Sequence, residues 1–186
     1  MAADDPRFAP QDLTDGRKEH DWKTRYPRTA WAWISFELAY LFVLLGLAPV
    51  TLYLLWHGTL QDWLSLDGTE PRAFARQGYG WVAGTLGGTV FTMKWLYHGV
   101  AHGWWNRDRL PWRLMAPHLS GALSFALLAF LASGLIGFFD QGKLRSPEFI
   151  VALGFLFGYF SDHALGALAL VAKNLLGERQ NSSGHN

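Results

Sequence analysis

Four long apolar runs, at residues 31–57, 79–102, 116–139 and 148–176, set the terms on which this chain can fold. Each reaches the ~20 residues that a helix needs to cross the hydrocarbon core of a bilayer. Lipid offers no partner for backbone N–H and C=O groups, so a spanning run of this kind closes its hydrogen bonds internally as a helix. A soluble helical protein rarely carries four such runs. The expected fold class is all-α: an integral membrane four-helix up-down bundle with short loops. A polar segment, 1–30, precedes the bundle at 31–176, and a polar tail, 177–186, follows it. Pro49 is expected to loosen the far end of the first span. Residues 59–76 read as a surface loop with a short interfacial helix, and 140–147 as a tight turn. No second domain, low-complexity tract or internal repeat is visible.

Charge gives the bundle a direction. Lys and Arg next to short loops favour the cytoplasmic side. Eleven of them lie before span one (Arg7 to Arg28), between spans two and three (Arg107, Arg109, Arg113) and at the end (Lys173, Arg179). The opposite side has four: Arg72, Arg76, Lys143 and Arg145. Both termini are therefore expected in the cytoplasm, which an even number of spans allows. Trp22, Trp31, Trp33, Trp104, Trp105 and Trp112 then fall at the inner interface, and Trp56, Trp63 and Trp81 at the outer one. Residues 1–30 have no apolar core, so no cleavable leader is expected, and span one reads as a signal-anchor. The chain has no cysteine, which excludes thiol chemistry and cysteine-held metal or iron–sulfur centres.

Small residues recur every four positions in two of the runs. Span two has Gly80, Gly84 and Gly88; span four has Gly154, Gly158, Asp162 and Gly166. Positions four apart share one helix face. In lipid, helices associate through close packing of such faces rather than through a hydrophobic drive. The six glycines are read as helix-packing residues, within one bundle in the ordinary case and between subunits in the sharper one. Ser120, Gly121 and Ser124 give span three a similar patch at its start.

Ionisable residues inside a membrane are costly and are usually paired, wetted or functional. Glu37, Lys94, His98, Asp162 and His163 fall in the cytoplasmic half of the four spans once direction is assigned. They are the candidate intramembrane polar network or path. In the structural version Lys94 pairs with Glu37 or Asp162. In the functional version Asp162 lines a cation or proton path in an oligomer. His98 and His102 stand four apart, the spacing of two metal ligands on one helix, and are weak candidates for metal or haem. His118 reads as a headgroup contact.

Catalysis has little support. There is no Gly-x-Ser-x-Gly elbow and no phosphate-binding loop. Ser161, Asp162 and His163 are consecutive, and neighbours on a helix point ~100° apart, so they cannot form a triad by themselves. Nucleic-acid binding lacks a basic stripe. No catalytic residue, cofactor or nucleic-acid partner is expected; the expected partners are the lipid bilayer and either further copies of the chain or a partner membrane subunit.

From span two onward the pattern is a glycine-rich span (Gly84, Gly87, Gly88) and an inner loop with Asn106-Arg107 and Pro111-Trp112-Arg113. Pro117 and Gly121 then open span three, and Gly154-x-x-x-Gly158-Tyr159-Phe160-Ser161 lies in the last span. In that order the pieces resemble a group of uncharacterised bacterial four-span inner-membrane proteins and modules. The resemblance implies an inner-membrane location and no enzyme activity. The leading expectation is a non-enzymatic inner-membrane protein that self-associates, with a cation or proton path as its candidate activity. The alternatives are an accessory or scaffold subunit of a larger membrane complex, and a haem- or metal-binding redox protein.

Overall fold

In the computed structural model, residues 24–66, 70–133, 142, 146–161, 163 and 166 are described. Among them the chain is helical and has no strand. Helix α1 spans Arg28–Trp56, α2 Thr59–Trp63, α3 Glu70–Ala101, α4 Leu110–Ala132 and α5 Pro147–Tyr159; a single 3-10 turn, Arg107–Arg109, leads into α4. The polar segment 1–23, the tail 177–186, Asp162, Lys143 and Arg145 lie outside the described residues.

Among the described residues two stretches are long and apolar enough to cross a membrane: Arg28–Trp56 and Arg107–Ala132. Helix α3 is longer than either but carries Arg72, Arg76, Lys94 and His98, and α5 is a shorter apolar helix of 13 residues. Local sequence explains where the helices begin. Proline lacks an N–H and has a preset φ, so it fits the first turn, where no intrahelical acceptor is needed. Pro111 lets α4 start at Leu110, six residues before the apolar run. Pro147 does the same for α5, whose N-cap Ser146 accepts from the Phe149 N–H at 3.4 Å. The segment 59–76 is mostly helical, because α2 fills its start and α3 already begins at Glu70. Helix α1 continues through Pro49 to Trp56.

Helix α3 is the hub, packing most extensively on α4 and α5 and less on α1. The glycines account for this. Gly158 and Gly154 of α5 lie on Gly84 and Gly80 of α3: a Cβ at Gly158 would sit 2.7 Å from Gly84 Cα, and one at Gly154 3.1 Å from the Gly80 carbonyl. A Cβ at Gly87 would come 2.7 Å from Tyr159 N. Sequence numbers rise together in α3 and α5, so these two helices run parallel. On the other side a Cβ at Gly88 would meet Ser120, at 2.5 Å, and one at Gly84 would lie 3.0 Å from the Ser120 carbonyl, while Gly80 faces Leu128. There the numbers run oppositely, so α4 is antiparallel to α3. Among the described residues, Gly166 has no neighbour within 4 Å of such a Cβ.

Ser124 fastens the three helices. It is fully buried, and its hydroxyl lies 2.9 Å from the Gly80 carbonyl of α3 and 3.2 Å from the Gly154 carbonyl of α5. Thr89 and Thr92, also buried, return their hydroxyls to Thr85 and Gly88 one turn back. Ser120 reaches Ser161 at 3.3 Å. At the far end Leu55, Ala75, Tyr79 and Ile150 form an apolar cluster that joins α1 and α5 to α3.

Candidate functional site around Glu37

Helix α3 stops in a way that builds the site. Gly103 has φ 76°, a left-handed conformation that glycine adopts without penalty. The Gly103 N–H bonds the Val100 carbonyl at 3.2 Å, and the Trp104 N–H bonds the Gly99 carbonyl at 2.8 Å, the paired pattern of a Schellman stop. The chain turns back, and Trp105 is carried beneath the first turns of α1. Asn106 then accepts from the Asp108 N–H at 2.8 Å and starts the 3-10 turn.

Glu37 of α1 is completely buried. One carboxylate oxygen accepts from Arg113 Nε on α4, and the other accepts from Trp105 Nε1 at 3.1 Å. Arg113 is 14% exposed, and its Nη2 donates to the Asn106 carbonyl at 3.1 Å. Its guanidinium carbon lies 5.6 Å from the Trp105 ring centre. Tyr26 closes the other side. Its hydroxyl donates to the Gly99 carbonyl at 3.2 Å and accepts from the Trp105 N–H at 3.1 Å. Arg107 sits 4.6 Å over the Trp33 ring, a further tie between the turn and α1.

One turn along α1, Tyr40 bonds α4 again. Its hydroxyl is 2.8 Å from the Leu114 carbonyl and 2.8 Å from His118 Nε2. Tyrosine has one proton to give, and the carbonyl can only accept. The imidazole must therefore donate to Tyr40, which puts a proton on Nε2. Helix α1 has little contact with α4 otherwise, so these polar bonds fix the angle between the two helices.

Among the described residues, Lys94, His98 and His163 make no hydrogen bond or ion pair with Glu37. Lys94 is exposed and makes no ion pair with Glu37, whose partner is Arg113. Sequence reasoning placed Arg113 in an interfacial loop; starting α4 at Leu110 puts it on a helix with its side chain turned inward. His98 is half-buried, and its ring centre lies 5.9 Å from that of His102. His102 Nδ1 is 2.8 Å from the His98 carbonyl, and the His102 ring stacks on Trp104 at 4.9 Å, so His102 caps its own helix. Among the described residues no three His, Asp or Glu side chains converge to hold a metal ion. His163 is exposed, with its ring 6.3 Å from that of Phe160. Asp162 lies outside the described residues. Trp105 and Arg113 are the members that sequence reasoning missed. The signal available was Trp104–Leu114 itself, where three tryptophans and three arginines follow a helix-stopping glycine.

Both oxygens of Glu37 are taken by donors, and its charge is matched by Arg113. Such a group is equipped to hold helices in register rather than to attack a substrate or pass a proton. No protein-family model, curated protein or solved structure matches the chain.

Proposed function

We propose that this chain is a non-enzymatic integral membrane protein, an up-and-down bundle with its ends in the cytoplasm, that works as a self-associating or accessory subunit of a membrane assembly. The observation that carries the reading is the surface of α1. Only 17% of its most apolar window is buried, and Phe36, Phe42, Val43, Leu47 and Val50 are all more than half exposed. The core helix of a soluble protein would be mostly buried. A helix this apolar and this open needs lipid or another subunit against it. The antiparallel packing of α1 and α4 on α3, and the parallel packing of α5, support four alternating spans. The uneven distribution of Lys and Arg supports cytoplasmic ends, and the resemblance to bacterial four-span modules supports the inner membrane.

A cation path through the bundle has less in its favour. The seam of α3, α4 and α5 is closed by glycine backbones and Ser124, and the carboxylate of Glu37 is neutralised in place. The test is fractionation followed by sizing. The chain should stay with membranes through an alkaline carbonate wash and leave them only with detergent. In mild detergent it should run as a discrete oligomer or with a fixed partner. Release by carbonate would remove the membrane reading. A strict monomer that conducts cations in liposomes would remove the subunit reading.

A further inference from the structure

Two histidines at the C-terminal end of α3 take no part in the Glu37 site. His98 lies in the last turn of the helix, and His102 follows its final residue. Positions four apart share one helix face. The two ring centres are 5.9 Å apart, with their planes tilted by 34°. Two metal–nitrogen bonds of about 2.0 Å, with a ring radius at either end, join centres up to about 6 Å apart. The pair is therefore within the reach of a single ion.

His102 carries the argument. Its Nδ1 lies 2.8 Å from the His98 carbonyl. A carbonyl can only accept, so Nδ1 holds the proton and Nε2 of the neutral ring holds the lone pair. A metal-ligating histidine is supported in the same way. Its other nitrogen donates to a carbonyl or carboxylate, which fixes the tautomer, orients the ring and raises the basicity of the ligating nitrogen. Trp104 stacks on the His102 ring, with centres 4.9 Å apart and planes 25° apart, so the imidazole is held by a second contact. The ring is nonetheless exposed, which leaves it open to an ion. The His98 side chain is half-buried. Among the described residues its ring touches Tyr97 and His102 and makes no hydrogen bond. Histidine χ2 is a soft torsion, so this ring can turn to aim a nitrogen.

The position also suits a cation, because the aligned peptide dipoles of a helix favour positive charge at its C-terminal end. Lys94, one turn before His98, and Arg25, whose guanidinium lies beside Gly103, act against it. Among the described residues no third His, Asp or Glu joins the pair.

We propose that His98 and His102 form a two-histidine site for a first-row divalent metal ion, with water in its remaining positions. The donors set the class of ion. Imidazole suits copper, nickel and zinc, whereas magnesium and calcium take oxygen ligands. Copper(II) stands highest among the divalent ions for a nitrogen site. A structural zinc centre closes four protein ligands around the ion. This pair offers two, so the ion it holds is exchangeable. The proposal does not depend on the chain lying in a bilayer, and release of the chain by carbonate would leave it standing.

The experiment is a titration of the untagged, detergent-purified full chain with copper(II) chloride, read by electron paramagnetic resonance. The native chain should hold one equivalent with two imidazole nitrogens in its hyperfine pattern. His98→Gln and His102→Gln should each remove one nitrogen and weaken binding by about tenfold or more, the scale on which even an outer partner of a ligand matters. His57→Gln, at the other end of the bundle, should change neither, and excess magnesium chloride should not displace the copper. A second measurement needs no variant: copper(II) should protect His98 and His102, and not His57, from diethyl pyrocarbonate. Copper binding that is unchanged in both single variants would overturn the proposal, as would equal modification of His98 and His102 with and without copper.

Discussion

Glu37 and Arg113 face each other across α1 and α4, two helices that beyond this pair and the bonds of Tyr40 scarcely touch, and the carboxylate is completely buried. Breaking one side of a buried ion pair leaves an uncompensated charge, at a cost of ~3–5 kcal/mol, whereas replacing both partners by apolar side chains is often neutral. Arg113→Leu and Glu37→Leu should each destabilise the protein by that amount in detergent unfolding titrations. The double variant should recover most of it, with a residue of ~1 kcal/mol from the unmade bonds of Trp105 and Asn106. Additive losses in the double variant would show that the two side chains are not coupled.

Arg113→Lys is a separate expectation. Arg113 uses Nε on Glu37 and Nη2 on Asn106, 3.1 Å from that carbonyl. A lysine ammonium is a single point and cannot span both sites. The substitution should cost nearly as much as Arg113→Leu, measured in the same titration. Stability like that of the native protein would mean that charge alone holds the junction.

Gly158 touches the backbone of Gly84, so nothing flexible can move aside for an added methyl group. Gly158→Ala should destabilise by ~1–3 kcal/mol, the range of overpacked cores. Gly46→Ala and Gly166→Ala are the controls, because nothing lies within 4 Å of a Cβ at either position. Alanine there should be neutral or stabilising by up to ~1 kcal/mol through helix propensity. Thermal unfolding of the three variants side by side decides the matter.

Ser124 shares its one hydroxyl proton between carbonyls on two other helices, 2.9 and 3.2 Å away. Hydrogen bonds between membrane helices average ~0.6 kcal/mol, with a maximum near 1.7. Ser124→Ala should therefore be mild. Ser124→Leu should be severe, because its Cβ already lies against Gly84. Comparing the two by unfolding midpoint separates the value of the bond from the value of the small volume.

The helical class was legible because four apolar runs leave a chain few choices. The glycine spacing marked the faces on which α3 and α5 meet, since a period of four on a helix is a geometric fact. Gly166 has the same spacing, and among the described residues nothing lies within 4 Å of a Cβ there, because spacing marks a face and a neighbouring helix has to supply the contact. The partner of Glu37 was not legible. Lys94 suited it by depth, but depth carries no information about rotation around a helix axis. What decides the pairing is local: the Gly103 stop that swings Trp105 inward, and Pro111, which starts α4 early enough to bring Arg113 onto it.

The absence of cysteine makes the proposed topology directly testable, because a single introduced thiol is the only one that can be labelled. Asp62 in α2 and Asp108 in the 3-10 turn are exposed and lie at opposite ends of the bundle. The proposed topology, argued from the Lys and Arg distribution, has Asp62 outside and Asp108 in the cytoplasm. Asp62→Cys should react with a membrane-impermeant maleimide in intact cells, and Asp108→Cys only after permeabilisation. The reverse pattern would invert the orientation. Labelling of both in intact cells would mean that the two ends are not separated by a membrane, and the apolar face of α1 would then need a protein partner to cover it.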